Sequence, residues 1–234
     1  MKDFTLPMKI REKVAGWIYL PIHTVLMSLI ILPAIAYVLE QNGNTLDTVE
    51  LNTIYYVIGF AYVLIFMMPY LRENFIMKKK APMLATVFIG YFAVRIMSVV
   101  VNVIVLVLTS QVTNPNSEAV SEAVAMSIPT MVAVACIMGP IVEEVLFRGV
   151  LFGSIRTKNR IWAYIVSVVV FAVYHLWGSV LTTGDWSVLI FMIQYVPHGI
   201  MLAWAYERTG SLWTSIFLHM LINTVSVLGT VSML

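Results

Sequence analysis

An all-α fold that crosses a membrane about seven times is predicted by three observations. The 234-residue chain is 60% hydrophobic and only 11% charged, with a mean hydropathy of +0.90, whereas a soluble domain is roughly 25% charged. Several stretches of 18 or more residues carry no charge, long enough at ~1.5 Å per helical residue to cross a hydrocarbon core of roughly 30 Å. Basic residues gather in short clusters between those stretches, the pattern that orients a membrane protein. A net charge of +2 and a pI near 8.6 therefore imply the lipid bilayer as partner, and no nucleic acid.

The expected spans are 16–39, 51–71, 83–109, 127–154, 161–177, 187–206 and 211–234. They form a single transmembrane domain, 1–234, with no repeat and no soluble module. The first span is too long for a signal-peptide core and is followed by no small-residue cleavage site, so it is expected to be retained. Twelve cations fall on one side of this arrangement: Lys2, Lys9, Arg11 and Lys13; Arg72, Lys78, Lys79 and Lys80; Arg156, Lys158 and Arg160; and Arg208. The opposite loops hold Asp47, Glu50, Glu118, Glu122 and Asp185 with no Lys or Arg, which places the N-terminus in the cytoplasm, for instance of a bacterial plasma membrane. Trp17, Tyr19, Trp186 and Trp204 are expected near the interfaces. The one cysteine, Cys136, excludes an intramolecular disulfide and reads as packing.

Arg95, Glu143, Glu144 and Arg148 remain inside the spans, where an ionisable side chain costs from ~2.5 to more than 10 kcal/mol unless it has a partner or a function. Glu144 and Arg148 stand four apart and share a helical face, acid before base. Glu143 points elsewhere, which leaves one carboxylate held ionised and one free to titrate. Gly139-Pro140 upstream predicts a break in the fourth span that lets another backbone approach, as tolerated beside a wet cavity. Phe171 precedes His175 by four on the fifth span, and His219 precedes Asn223 by four on the seventh. Counting ~1.5 Å per residue from the basic edges puts Glu143, Asn223 and Arg95 at ~20 Å and His175 at ~22 Å, close to one layer, with His219 at ~14 Å. His23 reads as interfacial and His198 as packing beside Pro197.

These residues resemble the CPBP family of CAAX-processing and bacteriocin-processing intramembrane proteases, also called the Abi family. Its three motifs, E-E-x-x-x-R, F-x-x-x-H and H-x-x-x-N/D, stand in order as Glu143-Glu144 to Arg148, Phe171 to His175, and His219 to Asn223. Thr209-Gly210-Ser211-Leu212-Trp213 is also similar, and the likeness covers about 127–227. The resemblance implies helices around an intramembrane cavity, often eight where seven are counted here, and peptide-bond hydrolysis. It makes Glu143, His175, His219 and Asn223 the catalytic candidates, with Glu144 and Arg148 supporting. In this reading Glu143 and His175 activate a water, while His219 and Asn223 stabilise the oxyanion. No cofactor is favoured. Zinc held by Glu143, His175 and His219 is the alternative, because two histidines, a carboxylate and a water make a catalytic zinc set, although the H-E-x-x-H signature is absent.

Bland readings compete at each position. Glu144–Arg148 is by itself a structural pair, and a lone membrane histidine usually serves helix-to-helix hydrogen bonding. Only the combined constellation reads as catalysis. A non-enzymatic immunity or scaffold protein uses the same cavity for binding, and a proton-coupled transporter is the third class, without the paired broken helices or internal repeat that class shows. The expected partner is a peptide or membrane-protein substrate, with roles in bacteriocin processing or self-immunity implied by the resemblance alone.

Overall fold

A computed structural model describes residue 4, residues 8–76 and residues 81–234 of the chain; Lys2, Lys78, Lys79 and Lys80 lie outside them. The described chain is helical, with seven helices long and apolar enough to cross a membrane. We number the helices α1 (Ile10–Gln41), α2 (Thr48–Phe66), α3 (Met68–Ile76), α4 (Met83–Thr109), α5 (Pro115–Met126), α6 (Ile128–Arg156), α7 (Arg160–Thr183), α8 (Trp186–Thr209) and α9 (Leu212–Val231). All except α3 and α5 are spans.

Local chemistry sets the boundaries. Asp47 caps α2 by accepting the Glu50 N–H, while the Glu50 carboxylate accepts the Asp47 N–H, which satisfies two donors reciprocally. Asn114 and Asn159 cap α5 and α7 through the N–H groups of Ser117 and Trp162. Gly184 (φ 69°) and Gly210 (φ 73°) end α7 and α8 in the left-handed conformation, which glycine adopts without a Cβ penalty. The span α1 begins at Ile10, six residues before the expected start, and α7 runs six residues past its expected end. The acidic stretch around Glu118 and Glu122 is no plain loop but the helix α5.

The centre of the bundle is α6. Two thirds (67%) of its apolar stretch is buried, against 11% in α1 and α4, whose exposed Val, Ile, Leu and Phe side chains form a lipid-facing surface. The expected break at Gly139-Pro140 does not occur. Instead the helix stays continuous by widening its hydrogen bonding to i→i+5 over Val134–Met138 and Glu144–Phe152. The Gly139 N–H reaches the carbonyl of Val134, so the chain absorbs the missing Pro140 donor without opening. What approaches Gly139 is the Tyr56 ring, which a Cβ would meet at 3.2 Å, and not a second backbone.

The short helix α3 fastens one end of the bundle. Buried Asn74 accepts the Leu212 N–H on its side-chain oxygen (3.1 Å) and the Ser211 hydroxyl on its carbonyl (2.8 Å), and so holds the start of α9. At this end Lys9 pairs with Glu73 at 2.9 Å. Glu207 gathers Arg156, Arg160 and Tyr164. The described cationic clusters therefore share one end, and that end carries acids of its own.

Candidate active site

All seven spans line a polar chamber of about 730 Å³. Glu143 and Glu144 come from the middle of α6, His175 from α7, and His219 and Asn223 from α9. The chamber is lined from the middle of the spans toward the end opposite the cationic clusters, where α5 closes part of it through Pro115, Asn116 and Ser117.

Glu143 is buried and accepts the Tyr56 hydroxyl on Oε1 at 2.8 Å. Its Oε2 makes no direct hydrogen bond. It faces Nε2 of His175 and Nε2 of His219, each at 3.9 Å, too far for a hydrogen bond and within the span of a single bridging water. The other nitrogen of each imidazole is committed. His175 Nδ1 lies 2.8 Å from the Phe171 carbonyl, which requires Nδ1–H, so a neutral His175 presents the Nε2 lone pair to the chamber. His219 Nδ1 lies 2.8 Å from Glu144 Oε1, and the same argument makes Nδ1 the donor. Phe171 also stacks edge-on against His175 at 4.4 Å between centroids, while Tyr195 lies flat on the other side, also at 4.4 Å. The F-x-x-x-H spacing thus supplies both the carbonyl and the ring that orient His175.

Glu144 has the opposite surroundings. It is fully buried, receives Arg148 Nη1 at 3.1 Å and His219 Nδ1 on Oε1, and takes the Ser215 hydroxyl on Oε2. Arg148, also fully buried, places its guanidinium 4.1 Å above the Phe171 ring. The expected i, i+4 pair therefore forms, and it supports His219 directly.

Asn223 lines the chamber, but its Nδ2 donates to the Ala135 carbonyl at 2.8 Å, leaving one N–H for any further partner. Arg95 also lines the chamber. Cys136 packs in an apolar cluster with Val49, Ala123, Val124, Met131 and Val227, consistent with packing. Three expectations are corrected. His23 is fully buried and not interfacial; its ring stacks on Tyr174 at 5.9 Å and lies 4.5 Å from Tyr55, because widened hydrogen bonding over Ile22–Ile31 follows Pro21. Tyr19 is likewise buried, stacked on Tyr62 at 3.9 Å. His198 does sit where α8 passes from a tight 3₁₀ coil to regular helix, yet it lines the chamber. Tyr56, Tyr195 and Ser215 were not expected. No motif spacing points to Tyr56 or Ser215; the polar runs Tyr55-Tyr56 and Thr214-Ser215 inside apolar spans were the available signal.

The donor set is zinc-like in kind: two imidazole Nε2 atoms and a carboxylate face one point, and each Nδ1 is fixed by a carbonyl or carboxylate, as zinc-bound histidines are. The 3.9 Å spacings exceed the ~3.3 Å implied by tetrahedral bonds of ~2.0–2.1 Å. Among the described residues no three such groups already stand at ligand spacing.

Comparison with known proteins agrees with the motifs. Residues 125–225 match the family model described as type II CAAX prenyl endopeptidase Rce1-like. The chain is 33% identical over 106 residues to the putative membrane peptidase YdiL of Bacillus subtilis (strain 168), covering 45% of this chain and 39% of that protein. It is 32% identical over 143 residues to the membrane-embedded CAAX protease MroQ of Staphylococcus aureus (strain USA300), covering 58% and 53%. A third relative is UPF0177 protein YxdF of Lactococcus lactis subsp. lactis (strain IL1403), 30% identical over 87 residues and covering 37% and 42%. The matches span about two fifths to a half of these relatives. No solved structure matches the chain.

Proposed function

We propose that this chain, whose residues 125–225 match the Rce1-like CAAX prenyl endopeptidase family, is an intramembrane endopeptidase whose water is activated by Glu143 and His175. The observation that carries the reading is the convergence of Glu143 Oε2 with two imidazole Nε2 atoms, each at 3.9 Å, in a chamber lined by polar groups. A water at that point donates one proton to Glu143 Oε2 and one to the His175 lone pair. It accepts a hydrogen bond from His219 Nε2–H when Glu144 holds that ring as imidazolium. Two carboxylates then balance the Arg148 guanidinium and one imidazolium, so the buried cluster is neutral overall.

Attack on a peptide carbonyl passes the water's proton to Glu143, which later delivers it to the leaving amine. His219 Nε2–H and the remaining N–H of Asn223 donate to the developing oxyanion, in surroundings with little competing water. Glu144 acts through His219, much as a buried carboxylate orients an imidazole in hydrolytic triads. In the second reading, favoured by the donor set, Glu143, His175 and His219 hold a zinc ion. Bound there, zinc would supply a water that ionises near neutral pH.

The cationic end lies in the cytoplasm by the charge rule, so the chamber faces the opposite side. Processing of bacteriocins, or protection against them, is the role this family resemblance favours. The test is cleavage of a broad peptide library by detergent-purified wild type and Glu143→Gln, with and without a zinc chelator. Activity lost in the variant and retained in chelator supports the water mechanism. Loss in both supports zinc. Cleavage by Glu143→Gln at the wild-type rate overturns the assignment of the base.

A further inference from the structure

Over residues 92–108 the helix α4 is apolar except for one stripe. Arg95, Ser98 and Asn102 stand at i, i+3 and i+7, one helical face, and all three line the chamber. Asn102 is satisfied, since its Oδ1 accepts from Gln194 Nε2 at 3.1 Å, and Gln194 in turn accepts from Asn114 at 2.8 Å. The two inner members are not. Ser98 Oγ is buried without a partner. Among the described residues Arg95 has no hydrogen-bond or ion-pair partner, whereas Arg148, the other guanidinium inside the spans, has Glu144. Twelve residues along α4 from Met83 put Arg95 ~18 Å from the cationic end, and thirteen from Arg156 put Glu143 at ~20 Å, the same layer. His198 lines the same chamber, within electrostatic reach of both Arg95 and His219.

A guanidinium kept at mid-membrane without a counter-charge costs several kcal/mol, and Arg95, which is exposed, lines the same chamber as Glu143, His175 and His219. We propose that Arg95, with Ser98, forms a carboxylate subsite that anchors a peptide by its C-terminal carboxylate or an acidic side chain near the cleaved bond. The proposal rests on reading the chamber as a peptide site. Arg suits the task because its fork matches a carboxylate bidentately and remains charged at any working pH. The Ser98 hydroxyl adds a donor at the same spot. Arg148 is already paired with Glu144, so an incoming carboxylate finds Arg95 as its uncompensated partner.

The test is equilibrium binding in the Glu143→Gln background, which separates recognition from turnover. The probes are a labelled, N-acetylated hexapeptide of leucine and alanine ending in a free carboxylate, the same peptide ending in an amide, and an amide peptide with one internal glutamate. With Arg95 present the acid peptide should bind about tenfold tighter than the amide, the worth of one charge-assisted contact. Arg95→Gln should bring the two within about twofold, and Arg95→Lys should retain part of the preference. Tight binding of the glutamate peptide assigns the carboxylate to a side chain; its failure assigns it to the C-terminus. Equal binding of acid and amide peptides, or a preference that survives Arg95→Gln, overturns the subsite. So does loss of the preference only when phosphatidylglycerol is added, which makes a lipid phosphate the occupant. If the preference holds while wild type cleaves nothing in the library, the subsite stands and the protease reading falls.

Discussion

Removing the Arg148 guanidinium should be far more damaging than removing the Glu144–Arg148 pair as a whole. Both side chains are 0% exposed, so solvent screening does not reduce their interaction as it does at a surface. Three losses follow from Arg148→Met. One is a charge-assisted hydrogen bond at 3.1 Å, worth about 1.5–3 kcal/mol. Another is the contact with the Phe171 face at 4.1 Å, about 1–2 kcal/mol when desolvated. The third is the charge balance of Glu144, left buried with only His219 and Ser215 as partners. A loss of about 3–5 kcal/mol is therefore expected for the single variant. Met is similar in length and fills the volume, so a cavity contributes little. In Glu144→Gln with Arg148→Met no uncompensated charge remains, and the double variant should recover at least about 2 kcal/mol relative to the sum of the singles.

The assay is reversible unfolding by SDS in mixed micelles for wild type, both single variants and the double variant, with peptide cleavage measured alongside. Stability and activity should separate: the double variant regains stability but stays slow, because a neutral amide no longer fixes the His219 ring as the Glu144 carboxylate does. Stabilities of the single variants that simply add, or an Arg148→Met protein within about 1 kcal/mol of wild type, would refute the reasoning that Glu144 is ionised and depends on this one cation.

Two further outcomes follow from the same geometry. Tyr56→Phe removes only the hydroxyl that donates to Glu143 Oε1 at 2.8 Å; kcat should fall about tenfold or more with KM little changed, as expected for one hydrogen bond to a charged group, and steady-state kinetics on any cleaved library peptide checks it. Gly149→Ala places a Cβ 3.0 Å from the Tyr70 ring and hydroxyl, which is fully buried and bonded to the Tyr206 hydroxyl at 3.1 Å; this should cost about 1–3 kcal/mol, whereas Gly229→Ala, with nothing within 4 Å, should be neutral or stabilising by up to about 1 kcal/mol in the same unfolding assay.

Much of the bundle was legible because hydropathy, cap residues and charge clusters report on single segments. Four of the seven spans were placed within three residues at both ends, and the limits missed by five or six residues are the start of α1, the end of α2 and the end of α7. The misplaced limits lie where local rules compete. Ile10–Gly16 carries Arg11, Glu12 and Lys13, which break an apolar run without breaking a helix, and residues 178–183 are polar enough to read as loop although Gly184 is the actual stop. The Gly139-Pro140 pair misled for a related reason: proline removes one donor, but a helix can rebond with i→i+5 geometry when neighbours hold it on all sides, and no single segment reports its neighbours. At the site, the same limit separates what spacing shows from what it omits. Pairs on one helix, such as Glu144 with Arg148, follow from periodicity. Tyr56 meeting Glu143, Ser215 meeting Glu144 and the burial of His23 depend on the packing of α1, α2 and α9 against α6, α7 and α8.

The adjacency of Glu143 and Glu144 is itself explained by that packing. Consecutive residues diverge by about 100° around a helix, and the wider hydrogen bonding begins at Glu144, where regular helix ends. One carboxylate consequently points into the chamber with a single protein hydrogen bond, from Tyr56, and an Oε2 without one. The other points at α9 and meets Arg148, Ser215 and His219. In the proposed mechanism chemically identical groups take opposite tasks because of their surroundings, as in carboxylate pairs that divide acid from base work elsewhere. The orienting task requires saturation with donors, because an under-bonded Glu144 would let the His219 ring turn. The chemical task requires the reverse, because a carboxylate already holding three donors has no lone pair suitably placed for a water proton. Exchange of the two roles is therefore barred by geometry and not by residue type, and Glu144→Asp should disturb the site by shortening its reach to His219 even though the charge is kept.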